Sequence, residues 1–252
     1  MIDIHSHVLP GLDDGSPSLE ESLRMMRVAA AAGTTDLVAT PHSSPQYRFD
    51  PERVRRKLAE LQDAAGPNPR LHYGCDFHLS FDNIQDALSS PSKYTVNENG
   101  YLLVEFSDLL IPKTTAEVFS RMIDAGITPI ITHPERNFLL HRRLDEVAGW
   151  VRQGCLLQIT AQSFLGRFGS EARSVSRELV KRRLVHFVAS DAHDSEDRPP
   201  RLDLAYKKVA GTYGAAFAEQ VFVTNPRAVI NGEPLPPPIE PARPRGLARL
   251  WS

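Results

Sequence analysis

Cysteine is nearly absent. Cys75 and Cys155 are the only two in 252 residues, and their wide separation excludes both a disulfide framework and a zinc-ribbon spacing, leaving two reduced, buried thiols as the expectation. No run approaches the roughly 18 apolar residues of a membrane span. The N-terminus lacks the basic and apolar regions of a signal peptide, so the reading is a cytoplasmic protein with no transmembrane segment. Excess charge is also missing: a formal net charge of -2 offers no electrostatic reason to bind nucleic acid, and any anionic ligand must meet positive charge supplied locally. No internal repeat is visible. What remains, 41% hydrophobic and 24% charged residues, is an ordinary globular composition with enough chain for one core.

Proline is not scarce, and its placement marks a boundary. The segment PLPPPIEPARPRGLARLWS loses backbone donors at each proline and cannot form helix. Residues 1–232 therefore read as one domain and 233–252 as a proline-rich tail lying outside the core. Its last residues, GLARLWS, combine arginine with Leu247, Leu250 and Trp251 and read as a loosely ordered end.

Before that boundary, apolar runs of strand length alternate with amphipathic stretches. Strands are expected at Met1 to Ile4, Asp36 to Ala39, Arg70 to Gly74, Tyr101 to Phe106, Thr128 to Thr132, Leu156 to Thr160 and Val185 to Ala189. Helices are expected from Ser18, where Glu21 completes a capping-box pattern, to Gly33; after Asp50 with Pro51 at the first helical position; and at Thr115 to Ala125, Arg143 to Gln153, Ser170 to Arg182 and Arg201 to Tyr213. Seven buried strands, most followed by a helix, imply a parallel barrel or a doubly wound sheet. In such folds chemistry gathers at the carboxyl ends of the strands.

Those ends are where the polar residues stand. His5-Ser6-His7 and Asp13-Asp14 follow the first strand, Thr40-Pro41-His42 the second, and Cys75-Asp76-Phe77-His78 the third. Glu105 lies within the apolar run YLLVEF, His133-Pro134-Glu135-Arg136 follows the fifth strand, and Ser190-Asp191-Ala192-His193 follows the seventh. One histidine at a strand end is usually structural, but recurrence at equivalent positions points to a shared ligand. Imidazole with carboxylate suits zinc, manganese or iron. Strand alternation puts His5 and His7 on one face, and Asp191 and His193 repeat the spacing. A carboxylate such as Glu105 inside an apolar strand costs several kcal/mol unless it is paired or binds a cation. Eight or nine ligands exceed one ion, so two or three divalent ions with a bridging carboxylate are expected, an arrangement suited to phosphoester hydrolysis. Arg136 and Arg198 sit beside these motifs, and their planar forks match phosphate oxygens.

The motifs HSH, TPH, VEF, HPER and SDAH, in this order from about Met1 to Ile230, resemble the PHP (polymerase and histidinol phosphatase) superfamily. LPGLDDG, HPERN, QITAQSFLGRFG and HFVASDAH resemble, more narrowly, the bacterial metal-dependent protein-tyrosine phosphatases encoded with capsule and exopolysaccharide genes. The resemblance implies a distorted seven-stranded (β/α)7 barrel of the PHP type and a trinuclear centre, most often with manganese, iron and zinc being alternatives. It implies one ion at His5, His7 and Asp191, a second at Glu105 and His133, and a third at Asp14, His42 and His193. Where the family places a bridging glutamate this sequence has Asp76, one methylene shorter. Of the aspartate pair, Asp14 is favoured as the ligand and Asp13 as the residue that holds the loop.

With neither a C-x5-R loop nor a G-x-S-x-G turn, a covalent phosphoenzyme is not indicated. The expected reaction is hydrolysis of phosphotyrosine by metal-activated hydroxide, with Arg136 and Arg198 as catalytic clamps. The implied partner is the phosphotyrosine tail of a bacterial tyrosine kinase controlling polysaccharide synthesis, with peripheral membrane contact only through that kinase. The alternatives are a small-metabolite phosphatase of the histidinol-phosphate type, and an inactive regulatory homologue suggested by Asp76. His72, His141 and His186 read as structural or surface residues.

Overall fold

The computed structural model describes residues 1–242. Its nine strands are β1 (Ile2–Ser6), β2 (Asp36–Ala39), β3 (His42–Ser43), β4 (Arg70–Tyr73), β5 (Asp76–His78), β6 (Tyr101–Glu105), β7 (Thr128–Thr132), β8 (Leu156–Thr160) and β9 (Phe187–Ala189). They form two parallel sheets, one ordered β1-β2-β4 and the other β3-β5-β6-β7-β8-β9, and neither closes on itself. The expected seven segments are present, but the second and third each divide in two. Pro41 brings no N–H to the ladder at the first break. At the second, Gly74 passes so close to β2 that a Cβ there would lie 2.8 Å from the Val38 side chain. His42 and Asp76 consequently sit within strands, paired with each other in register, and not in the loops beyond them. One isolated parallel bridge, Ser6 with Ala192, joins the end of β1 to the chain just past β9.

Helices cover the sheets as the capping signals require. The first spans Leu19–Ala31, and the Ser18 hydroxyl accepts the Glu21 N–H at 3.2 Å. The reciprocal half of the capping box is not made. Instead the Glu21 carboxylate accepts the Ser195 N–H at 2.7 Å, tying this helix to the loop that carries Asp191 and His193. Asp50 caps the Pro51–Ala65 helix through two backbone N–H groups. A helix at Phe81–Ser89 has no counterpart in the expected set.

The core follows strand alternation. Ile2, Ile4, Val38, Leu103, Ile130, Phe187 and Ala189 form one buried cluster with Val229 and Ile230 of the last helix, while Leu37, Leu102, Val104, Ile131, Leu157 and Val188 pack into another with helical residues. Both faces of the strands are therefore buried, as parallel sheets require. Cys75 and Cys155 are both buried and free. No described helix is long and apolar enough to cross a membrane. Residues 233–242 form no regular element but lie against the domain, with Ile239 N–H bonded to Gln220 and Ala242 N–H to the Tyr213 carbonyl. The GLARLWS end lies outside the described residues.

Candidate metal centre

All nine expected ligands converge at the carboxyl ends of the strands. His7, Asp14, His42 and His193 offer donor atoms within 4.8 Å of one another, as do His5, His7 and Asp76; His5, His133 and Asp191; and His42, Asp76 and Glu105. The groups overlap. His5 and His7 approach through their Nε2 atoms at 3.3 Å, although β1 ends at Ser6 and His7 leaves from the next residue. One Asp191 oxygen lies 3.4 Å from each of those atoms. Glu105 is 3.6 Å from His133, and Asp14 is 3.4 Å from His42 and 3.6 Å from His193. Shorter by a methylene, Asp76 still reaches the middle, with its carboxylate 3.4 Å from His5 and 3.3 Å from His42.

The donor set fits a cation on an observation independent of spacing. Both Asp76 oxygens and His42 Nδ1 are buried yet have no hydrogen-bond partner among the described residues. Asp76 Oδ2 and His42 Nδ1 lie 3.3 Å apart without hydrogen-bond geometry, an arrangement costly for buried polar groups unless an ion is shared. Their electrostatics diverge accordingly. Burial opposes protonation of His42, but the nearby Asp14 and Asp76 carboxylates hold its pKa up at about 12. Burial and the neighbouring His7 lower His193 to about 3. Burial and the Asp76 charge raise Glu105 to about 7. His133 and Asp191 have φ of 32° and 51°, a left-handed conformation that costs non-glycine residues on the order of 1–3 kcal/mol and clusters at functional sites.

Gln158 and Glu135 escaped the sequence reading, which gave Asp13 the holding of the loop but not its bond to His7. Gln158 holds His5 Nδ1 at 3.0 Å; a buried amide in the apolar strand LLQIT was the available signal. Asp13 holds His7 Nδ1 at 2.7 Å and accepts the backbone N–H groups of Gly15 and His42, so it orients a histidine and the loop together. Glu135 is buried and accepts from Thr160 N–H and the Ser163 hydroxyl. Among the other histidines, His72 bonds Asp36, His141 the Glu135 carbonyl and His186 the Leu157 N–H. Gly15 is required by proximity, since a Cβ there would meet the His7 carbonyl at 2.2 Å. Gly15→Ala is expected to destabilise the protein by about 1–3 kcal/mol, the usual cost of overpacking. Urea denaturation checks this, and an unchanged midpoint would contradict it.

Arg136 and Arg198 both donate to Asp191, Arg198 at 2.6 Å. The Arg136 guanidinium carbon also lies over the Phe168 ring, 4.2 Å from its centroid. Between β6 and β7 a cavity of about 100 Å³ is lined by Glu105, Asp108, His133, Arg136 and Asn137. Beyond β5 and β7 the chain exposes Phe81 and Phe138, each the first residue of a helix, and the loop after β6 exposes Leu109 and Leu110, with Leu109 at 91%. A larger cavity of about 950 Å³, bordered by Arg177, Lys208 and Tyr213, contains none of the nine groups. The chemistry, not the volume, locates the site.

Residues 1–231 match the family described as capsular polysaccharide synthesis, CpsB/CapC. The CapC protein of Staphylococcus aureus is 38% identical over 205 residues, covering 79% of each chain. Tyrosine-protein phosphatase CpsB of Streptococcus pneumoniae is 31% identical over 239 residues, covering 91% of this chain and 98% of its own. A crystal structure from work on YwqE of Bacillus subtilis and CpsB of Streptococcus pneumoniae, described as unique metal-dependent tyrosine phosphatases, is 28% identical. It superposes with a TM-score of 0.88, covering 96% of this chain and all of its own.

Proposed function

Because this chain belongs to the CpsB/CapC family, we propose that it is a metal-dependent protein-tyrosine phosphatase acting in capsule or exopolysaccharide synthesis. The observation that carries the reading is the convergence of five histidines and four carboxylates at the strand ends. His5, His7 and Asp191 would hold one ion, Glu105 and His133 a second, and Asp14, His42 and His193 a third, with Asp76 available to the first two. Bound divalent ions, manganese before iron or zinc, supply Lewis acidity to water and to the phosphoryl oxygens.

The chain's own residues do the rest. Arg136 and Arg198 bind and orient the phosphoryl group with paired N–H donors. Asp191 holds both guanidinium groups at the site until substrate arrives. The tyrosyl leaving group has a pKa near 10 in solution, so it needs little help from a general acid. Exposed Phe81, Leu109, Leu110 and Phe138 suit an apolar peptide segment better than a small polar metabolite, which supports a protein substrate such as the tail of a tyrosine kinase, met in the cytoplasm. Residues 1–232 form the catalytic unit. The bridge between Ser6 and Ala192 supports reading the two sheets as one distorted seven-stranded barrel.

The test is phosphate release from a phosphotyrosine peptide and from histidinol phosphate, each with added manganese and after chelation. Metal-dependent release is expected, with kcat/KM for the peptide higher by about tenfold or more, ~1.4 kcal/mol. A preference for the metabolite would assign the second activity. Bound ions without turnover on either substrate would assign a regulatory role.

A further inference from the structure

We propose that Phe168 is the positioning residue for Arg136, presenting its ring as the platform that aims the guanidinium at the phosphoryl group; this rests on the phosphatase reading above. Arg136 leaves a tight turn in which its N–H bonds the His133 carbonyl at 2.9 Å. Its long side chain has several rotatable bonds, and holding one conformer costs entropy. Two restraints meet that cost, the carboxylate of Asp191 at the tip and the half-buried Phe168 ring under the guanidinium carbon.

The ring is itself placed by the same turn. Glu135, next to Arg136, accepts from Thr160 N–H at 3.0 Å and from the Ser163 hydroxyl at 2.7 Å. It thereby fixes the start of the short Ala161–Leu165 helix. The chain then reverses through Gly166, at φ 85°, and continues through Gly169, at φ 88°. Gly166 permits the left-handed turn that returns Phe168 to Arg136, and Gly169 lets the chain leave it into the Gly169–Lys181 helix. The Arg167 N–H to Gln162 carbonyl and Gly169 N–H to Gly166 carbonyl bonds, both 3.1 Å, close it. HPER and SFLGRFG, read separately in sequence, are thus one unit: a guanidinium and its platform joined through Glu135. A phosphate entering the site competes with Asp191 for the guanidinium but leaves the ring contact intact.

The experiment compares Phe168→Ala, Phe168→Leu and Phe168→Tyr in the metal-loaded full chain. The readouts are KM and kcat on a phosphotyrosine peptide and binding of inorganic phosphate by calorimetry. Loss of the ring is expected to raise KM and weaken phosphate binding together, on the order of three- to thirtyfold, the span of a cation–π contact, with kcat changed much less. Tyrosine restores both because it keeps a ring face, and leucine does not although it keeps apolar bulk. In an Arg136→Ala background, Phe168→Ala adds nothing further. Leucine matching phenylalanine, or additive losses in the double variant, would overturn the proposal. So would a rise in peptide KM with phosphate binding unchanged, since that pattern means the ring touches the substrate's tyrosyl group. A parent protein that binds phosphate through Phe168 but hydrolyses no phosphotyrosine refutes the phosphatase reading and leaves this one standing.

Discussion

Exchanging Asp191 for asparagine is expected to lower kcat/KM for a phosphotyrosine peptide by about a hundredfold or more. Asp191 is buried at the last strand end, 3.4 Å from both His5 and His7, and accepts from Arg136 and Arg198. The exchange preserves shape and removes the charge. Two guanidinium groups then lose their charged shared acceptor, and the first ion site keeps only the carboxylate of Asp76, which it shares. Breaking a buried charge pair from one side costs about 3–5 kcal/mol, and each 1.36 kcal/mol is a factor of ten. Steady-state kinetics with metal analysis of the same sample checks the result. A loss below about tenfold with the ions retained would show that Asp191 is dispensable.

Adding a divalent cation to chelator-stripped protein is expected to raise its thermal midpoint by about 5–10 °C. The site gathers carboxylates and imidazoles whose buried atoms lack partners, and the unfolded chain has no such constellation. Binding to the folded state alone at a hundred times Kd stabilises it by about 2.7 kcal/mol. Each kcal/mol moves the midpoint of a chain this size by about 2–4 °C. Calorimetric scans with manganese, iron(II) and zinc measure the shift and rank the metals. A midpoint indifferent to all three would argue that the cluster holds itself together by internal ion pairing.

Much of the fold was legible locally. Asp36 to Ala39, Thr128 to Thr132 and Leu156 to Thr160 form strands with the expected bounds, because short β-branched and leucine-rich runs between turn residues have few other solutions. Asp50-Pro51 and Ser18 mark helix starts because capping is a property of neighbouring residues. The Phe81–Ser89 helix was missed although Phe81, Ile84, Ala87 and Leu88 recur at helical spacing, because nine residues give the pattern only about two and a half turns in which to show. The division of two strands at Pro41 and Gly74 depends on partners across the sheet, and a single strand's sequence does not specify those.

The sequence by itself determined the ligand types and their repetition after successive strands, because a parallel fold sends every strand end to one mouth and metal chemistry needs imidazole and carboxylate there. Tertiary structure alone decided which of them meet: that Asp76 reaches His5 and His42 despite its shorter side chain, that Asp13 turns back to His7, and that Arg136 rests between Asp191 and Phe168. Residue identity sets what an atom can bind, while partnership within a few ångströms depends on backbone paths that are remote in sequence and settled only by packing.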